Sequence, residues 1–190
     1  LYNIPQMLEL NEYNAKVSNL ITSNDLTVKF MEGLEFKSSY NVNYTWINEH
    51  QYSDPRTRLG NRQGGVVTAH TTDESIFHTD QVLTYNTDFG QDHLTAVAGF
   101  SYRDSRFHSI TASAIGASTP GLSLLDSAPT PQTTGESFSE SKIAGFFGRV
   151  NYSLKGRYIF TGTLRYDGSS RFGKDNRWGW FPSISFAWRA

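Results

Sequence analysis

Cysteine is absent from the 190 residues, so neither a disulfide framework nor a thiolate metal site is available. Long apolar runs are absent too. No stretch approaches the roughly 18 consecutive apolar residues a membrane-crossing helix needs, which excludes a helical membrane protein. Charge of one sign gathers nowhere: 17 Lys and Arg face 18 Asp and Glu, a net charge of -1. No basic stripe exists to follow a phosphate backbone, so nucleic acid is not an expected partner. Leu1 begins no charged segment, apolar core or small-residue cleavage site. No signal peptide is read here, and an exported parent would carry it upstream.

Catalytic groupings are also missing. His50, His70, His78, His93 and His108 are scattered, and no two have metal-ligand spacing with a carboxylate cluster. No G-x-S-x-G elbow frames a serine nucleophile. Arg62-Gln63-Gly64-Gly65 is a flexible loop rather than a phosphate cradle, because no strand-to-helix context follows it. The expectation is no catalytic residue, no metal, no cofactor and no enzyme.

What is present favours strands. Phe, Tyr and Trp make up 14% of the chain, and Ser and Thr are abundant, which suits the pleated sheet. A mean hydropathy of -0.47 suggests a soluble protein until the strands are split by parity. A strand in a membrane barrel is apolar only at every second position, so such a barrel reads as polar overall.

The period-two segments are 15–30, 34–48, 72–89, 93–108, 139–154, 157–167 and 180–190, seven strands with no more than one short helix expected beside them. In the second, Leu34, Phe36, Ser38, Tyr40, Val42, Tyr44 and Trp46 alternate with Glu35, Lys37, Ser39, Asn41, Asn43 and Thr45. Short connections at Met31-Glu32-Gly33, Gly90-Gln91-Asp92 and Lys155-Gly156 alternate with longer ones at 49–67, 109–138 and 168–179. The stretch 109–138 contains Pro120, Pro129 and Pro131 and is expected to lack regular structure. Tight turns at one end and extended loops at the other are the pattern of an outer-membrane barrel, with periplasmic turns and extracellular loops. On that topology the chain leaves Ala190 toward the periplasm.

Parity supplies a separate test. Over the clearest part of each strand the apolar parity carries no charged residue, whereas the other carries Lys29, Glu35, Lys37, Asp88, Arg103, Arg149, Arg165, Asp167 and Arg189. A cation facing mid-bilayer lipid costs roughly 2–4 kcal/mol, enough to empty one face. Phe36, Tyr40, Val42, Tyr44, Phe100, Tyr102, Val150, Tyr152, Phe160, Leu164, Ile184 and Phe186 are therefore expected on a lipid-facing, convex side. Lys37, Asn43, Arg103, Arg149, Arg165 and Asp167 are expected on the concave lumen side. Tyr44, Trp46, Tyr102, Tyr152, Tyr158, Trp180 and Trp188 lie near strand ends, as interfacial girdles require.

One motif is far more specific. Arg165-Tyr166-Asp167-Gly168-Ser169-Ser170-Arg171-Phe172-Gly173 is followed by Asn176-Arg177-Trp178-Gly179-Trp180-Phe181-Pro182-Ser183. Asp167-Gly168 suits a turn at a strand end. Arg165 and Asp167, two apart on one face, can neutralise each other or a third group. Arg171 and Arg177 are loop cations, and Trp178, Trp180 and Phe181 read as rim packing. The stretch resembles the pattern R-x-D-G-S-S-R-F-G … N-R-W-G-x-F-P-S of the SusC/RagA family of TonB-dependent outer-membrane transporters. Gly148-Arg149-Val150-Asn151-Tyr152 and Tyr158-Ile159-Phe160-Thr161 also match the strands before that motif.

The resemblance implies that residues 1–190 are all-β, about seven consecutive meander strands of a 22-stranded antiparallel transmembrane barrel without its plug. It implies a Gram-negative outer-membrane importer of oligosaccharides or peptides, working with a SusD-like surface lipoprotein and driven by TonB through regions outside this piece. Under it, Arg165, Asp167, Gly168, Ser169, Ser170, Arg171, Phe172, Gly173, Asn176, Arg177, Trp178, Gly179, Phe181 and Pro182 hold structural places at the rim and lumen. The competing expectations are a siderophore-type receptor barrel and a soluble carbohydrate-binding β-sandwich, while an outer-membrane phospholipase fits least.

Overall fold

A computed structural model describes residues 4–117, 119 and 121–189; Leu1, Pro120 and Ala190 of the sequence reading lie outside the described residues. Seven strands form one sheet in chain order: β1 (Glu12–Met31), β2 (Leu34–Ser53), β3 (Val66–Phe89), β4 (Asp92–Ile115), β5 (Thr130–Leu154), β6 (Tyr158–Ser169) and β7 (Trp178–Trp188). β1 and β7 each have one strand neighbour. Antiparallel pairing runs unbroken from Ile143↔Ser169 to Leu154↔Tyr158 between β5 and β6, and from Tyr158↔Trp188 to Gly168↔Trp178 between β6 and β7. Among the described residues this single sheet has no second sheet packed against it, which overturns the sandwich alternative.

The hairpins turn where backbone chemistry allows. Gly33 has φ +77°, and a Cβ there would collide with the Asn86 carbonyl. Instead the Asn86 N–H donates to the Gly33 carbonyl at 2.8 Å, tying the first turn to β3. At the third turn Lys155 and Gly156 both have positive φ, +51° and +60°, as the mirror-image turns of tight hairpins require.

The strands are longer than the alternation indicates. β2 continues through Ser53, β4 through Ile115, and β5 begins at Thr130, shrinking the loops expected at 49–67 and 109–138. Both parities become polar there, so periodicity fades although backbone pairing continues. Among the described residues two short α-helices occur where at most one was expected, α1 (Ile4–Leu10) and α2 (Arg58–Asn61), with 3-10 turns at Leu125–Ser127 and Lys174–Asn176. The first 3-10 turn lies inside the stretch expected to be irregular.

The chain divides into two compact units. The first comprises Leu1–Leu20, Tyr44–Ser75 and Arg106–Ser139. It contains a buried apolar cluster of Tyr52, Val67, Ala114, Ala117 and Ala128, with Leu125 packed against it. This core belongs to the loop ends of the strands. The second unit comprises Ile21–Asn43, Ile76–Ser105 and Glu140–Ala190. Its apolar side chains stay largely uncovered, Ile184 at 90% exposure being the extreme.

Within the second unit the two parities separate as read. Phe160 touches Phe186 with ring centroids 5.0 Å apart, and Phe100 touches Phe146 at 5.0 Å. On the other parity Lys37 Nζ lies 3.1 Å from Asp25, and the Arg103 Nε donates to Ser105. Because β6 runs without a bulge from Tyr158 to Ser169, Phe160 and Arg165 point to opposite faces. The freedom from charge, however, holds only over the clearest parts of the segments 93–108 and 139–154. By alternation Asp104, Arg106 and His108 on β4 share parity with Phe100, and Glu140 and Lys142 on β5 share parity with Phe146.

Candidate functional site

The family-like motif folds as the end of β6, a braced loop and the start of β7. Cross-strand register sets Phe147 opposite Arg165 and Gly145 opposite Asp167. The Arg165 guanidinium donates twice to the Asp167 carboxylate, Nε to Oδ2 at 3.1 Å and Nη2 to Oδ1 at 3.0 Å. It also lies 5.3 Å from the Phe147 ring centroid, a cation–π distance. Gly145 makes room for this arrangement, since a Cβ there would overlap the Asp167 carboxylate. Of the two partners the sequence left open for this pair, the structure shows the pair closing on itself.

The serines are staples. The Ser170 N–H donates to the Lys142 carbonyl at 2.8 Å, and the Lys142 N–H donates back to Ser170 Oγ at 2.8 Å, fastening the loop to β5. Ser169 Oγ accepts from the Arg171 N–H, and the Ser169 N–H donates to the Arg177 carbonyl. The Arg177 Nε reaches the Phe172 carbonyl at 3.3 Å, while the Asn176 N–H closes a turn onto the Gly173 carbonyl at 3.0 Å.

The aromatics separate by parity. Tyr166 stacks on Trp178 at 4.9 Å and on Trp180 at 4.4 Å, a three-ring ladder across β6 and β7. The Trp178 ring lies over Gly168, whose missing Cβ leaves the space. Phe181 stands opposite Arg165, next to Gly179, and Pro182 stands opposite Leu164. The motif thus gathers Arg165, Asp167 and Phe181 on one parity and Trp178, Trp180 and Pro182 on the other.

Sequence reasoning missed a second constellation, in the first unit. Asp54 is buried, and both its carboxylate oxygens accept from Arg56: Oδ1 from the backbone N–H at 2.8 Å and Nε at 2.9 Å, Oδ2 from Nη2 at 2.8 Å. The Arg56 side chain holds the Asp54 carboxyl below the usual carboxylate range, against burial, which pushes it up. Asn11 Oδ1 accepts from the Asp54 N–H and the Thr57 hydroxyl, joining the end of α1 to the loop before α2. Thr57 caps α2 by accepting from the Gly60 N–H. The only legible signal was Asp54-Pro55 followed by Thr57, a turn and cap pattern.

Three histidines sit singly beside acids or hydroxyls, His78 Nε2 at 2.8 Å from Asp80, His93 Nδ1 at 2.6 Å from Asp88, and His70 between Thr111 and Thr72, whereas among the described residues the buried His50 Nε2 has no hydrogen-bond partner. Among the described residues no group of three or more metal-ligating side chains is placed to hold an ion. Nor is any helix long and apolar enough to cross a membrane, which says nothing about strands.

A meander of long antiparallel strands, whose large apolar side chains gather on one parity over their clearest parts, defines a piece of β-barrel wall rather than a closed globular domain. The chain belongs to the family described as TonB dependent receptor-like, beta-barrel, whose model matches residues 3–190. Within that family it is related to SusC, bearing out the SusC/RagA resemblance. The TonB-dependent receptor SusC of Bacteroides thetaiotaomicron is 57% identical over 51 residues, 27% of this chain and 5% of that protein. The TonB-dependent receptor P3 of Formosa agariphila is 31% identical over 84% of the chain and 16% of its own length. This chain therefore spans about a sixth of that relative. Among solved structures, the RagAB peptide transporter superposes with a TM-score of 0.88 at 21% identity, covering 96% of this chain and 21% of that one, a likeness of fold.

Proposed function

We propose that this chain is part of the wall of an outer-membrane importer that takes up oligosaccharides or peptides by TonB-driven transport. The observation that carries the reading is the seven-stranded meander whose opposite parities present lipid-compatible aromatics and a paired polar lining. The kinship with SusC, and the likeness of fold to a peptide transporter, are what support reading the cargo as one of those two classes. In this reading the turns at Gly33, Gly90 and Lys155-Gly156 face the periplasm. The loops 54–65, 116–129 and 170–177 face outside, toward a SusD-like lipoprotein. Strands of 20 to 25 residues from β1 to β5 exceed the roughly 9–11 residues a bilayer requires. Their outer portions stand above it. The chain carries wall and loops and performs no catalysis; energy and gating come from other parts of the parent protein.

Uptake by cells expressing the full-length parent, against a strain lacking it, is the test. Labelled oligosaccharide or peptide should enter only with the parent present and an intact TonB system. Uptake of a ferric chelate in place of both cargo classes would move the protein to the siderophore receptors.

A further inference from the structure

Arg165 and Arg149 stand on neighbouring rungs of the β5–β6 ladder, Arg165 opposite Phe147 and Arg149 opposite Thr163, so both belong to the charged parity. One residue type separates their surroundings. Two positions after Arg165 comes Asp167, whose carboxylate receives two guanidinium N–H groups. Two positions after Arg149 comes Asn151, a neutral amide that donates to the Thr161 hydroxyl at 2.7 Å. Among the described residues the exposed Arg149 guanidinium has no acid partner.

Arg149 shares a cleft of about 280 Å³ with Thr95, Val97 and Asn151, four side chains of one parity on β4 and β5. Among the described residues no acid lines it. Acids of the same parity are engaged elsewhere: Asp88 lies 2.6 Å from His93 Nδ1, and Asp167 lies 3.0 Å from Arg165 Nη2. The charge of the cleft is therefore that of the guanidinium, which stays protonated throughout the physiological range, and a cleft lined by one sign concentrates the other. Thr95 and Asn151 add a hydroxyl and an amide. The volume falls below the roughly 300–1,000 Å³ of pockets for drug-sized ligands, so it suits one unit of a longer molecule.

On the importer reading this parity faces the lumen. Resting on that reading, we infer that the Arg149 cleft is a carboxylate-binding site of the lumen wall. The carboxylate comes from acidic cargo, as a uronic acid unit or an acidic peptide, or from the parent's own chain where it lies within the barrel. The guanidinium presents a planar fork of N–H donors that a carboxylate accepts in pairs, the geometry that Asp167 supplies to Arg165 on the next rung. Of the anions that fit such a fork, the carboxylate is the one that both proposed cargo classes can carry.

The full-length parent, folded in detergent with heat-dependent gel mobility as the control, would be titrated calorimetrically with digalacturonate and with an acidic tripeptide, each beside its uncharged methyl ester. If cargo supplies the group, the wild type binds at least one acid more tightly than its ester. Arg149→Gln should then weaken that acid roughly tenfold, the loss of one charge-assisted contact, and leave the ester unchanged. Asn151→Asp should do the same with the arginine still present, because the new carboxylate closes on Arg149 as Asp167 closes on Arg165. Arg149→Lys keeps the charge without the fork and should fall between, a second measure where Asn151→Asp does not fold. If the parent's own chain supplies the group, neither acid is preferred, and Arg149→Gln and Asn151→Asp both speed hydrogen exchange in an acid-bearing segment outside residues 1–190. A folded Asn151→Asp that matches the wild type in both measurements overturns the inference, as does an Arg149→Gln loss that is equal for acid and ester. Either result leaves the importer reading standing, because that reading is decided by uptake into cells.

Discussion

Arg165, Asp167 and Gly145 act as one residue-scale device. The carboxylate receives two guanidinium N–H groups, and the glycine across the strand pair leaves the space in which they meet. The pair is partly exposed, so Asp167→Asn should cost about 1 kcal/mol rather than the cost of breaking a buried bridge. Gly145→Ala pushes the same carboxylate aside and should cost a similar amount. The two together should cost clearly less than their sum, because each removes the same contact. Urea unfolding of the full-length barrel, followed by gel mobility, would measure this, and strict additivity would separate the glycine from the pair.

Asp54 gives a pH prediction at the same scale. Its carboxyl is held below the ordinary value by Arg56, so it binds protons less readily folded than unfolded. The stability it contributes is complete above the unfolded value, about 3.9, and is lost as pH falls from there through the depressed folded value. Limited proteolysis of the 54–65 loop by an acid-active protease should show protection at pH 5 and opening well below pH 4. In Asp54→Asn the loop should be easier to cleave at pH 5 and its acid dependence flattened.

Among the elements, the β5–β6 hairpin shows a sequence choice that is not optimal for its own turn. Lys155 occupies positive φ beside Gly156, a conformation that costs a residue with a Cβ roughly 1–2 kcal/mol and that Asn tolerates better. Lys155→Asn should therefore stabilise the hairpin by roughly 0.5–1 kcal/mol. The backbone N–H of residue 155, which donates to Asp92 Oδ1 at 2.8 Å, is retained in the variant. A higher unfolding midpoint of the full-length protein is the expected readout, and a lower one would show that the lysine side chain has a role of its own.

For the molecule as a whole, β1 and β7 determine behaviour. Each has one strand neighbour, so each presents a row of unpaired N–H and C=O groups. Trp180, Phe186 and Trp188 on β7 and Leu20, Leu26 and Phe30 on β1 are exposed. The excised 190 residues should aggregate in water and disperse only with detergent, as seen by sedimentation. A compact, cooperatively unfolding monomer without detergent would contradict the barrel-wall reading.

Some of this protein could be settled from residues alone. Alternation from Leu34 to Trp46 assigns faces because a strand has period two, and any slip of one residue would invert them all. The turns at Gly33, Gly90 and Gly156 were legible because positive φ needs glycine, and the run from Arg165 to Pro182 identified the branch of the family. Those are local properties, each written within a few consecutive residues. The extension of β2 and β4 into the loops, the core around Tyr52 and Val67, and the Asp54–Arg56–Asn11 network were decided only in three dimensions. Tyr52 and Ala128 are far apart in the chain and polar neighbours surround both, so no periodicity marks them as a core. The space under Gly145 has the same origin: it exists only because Asp167 arrives opposite it from the next strand.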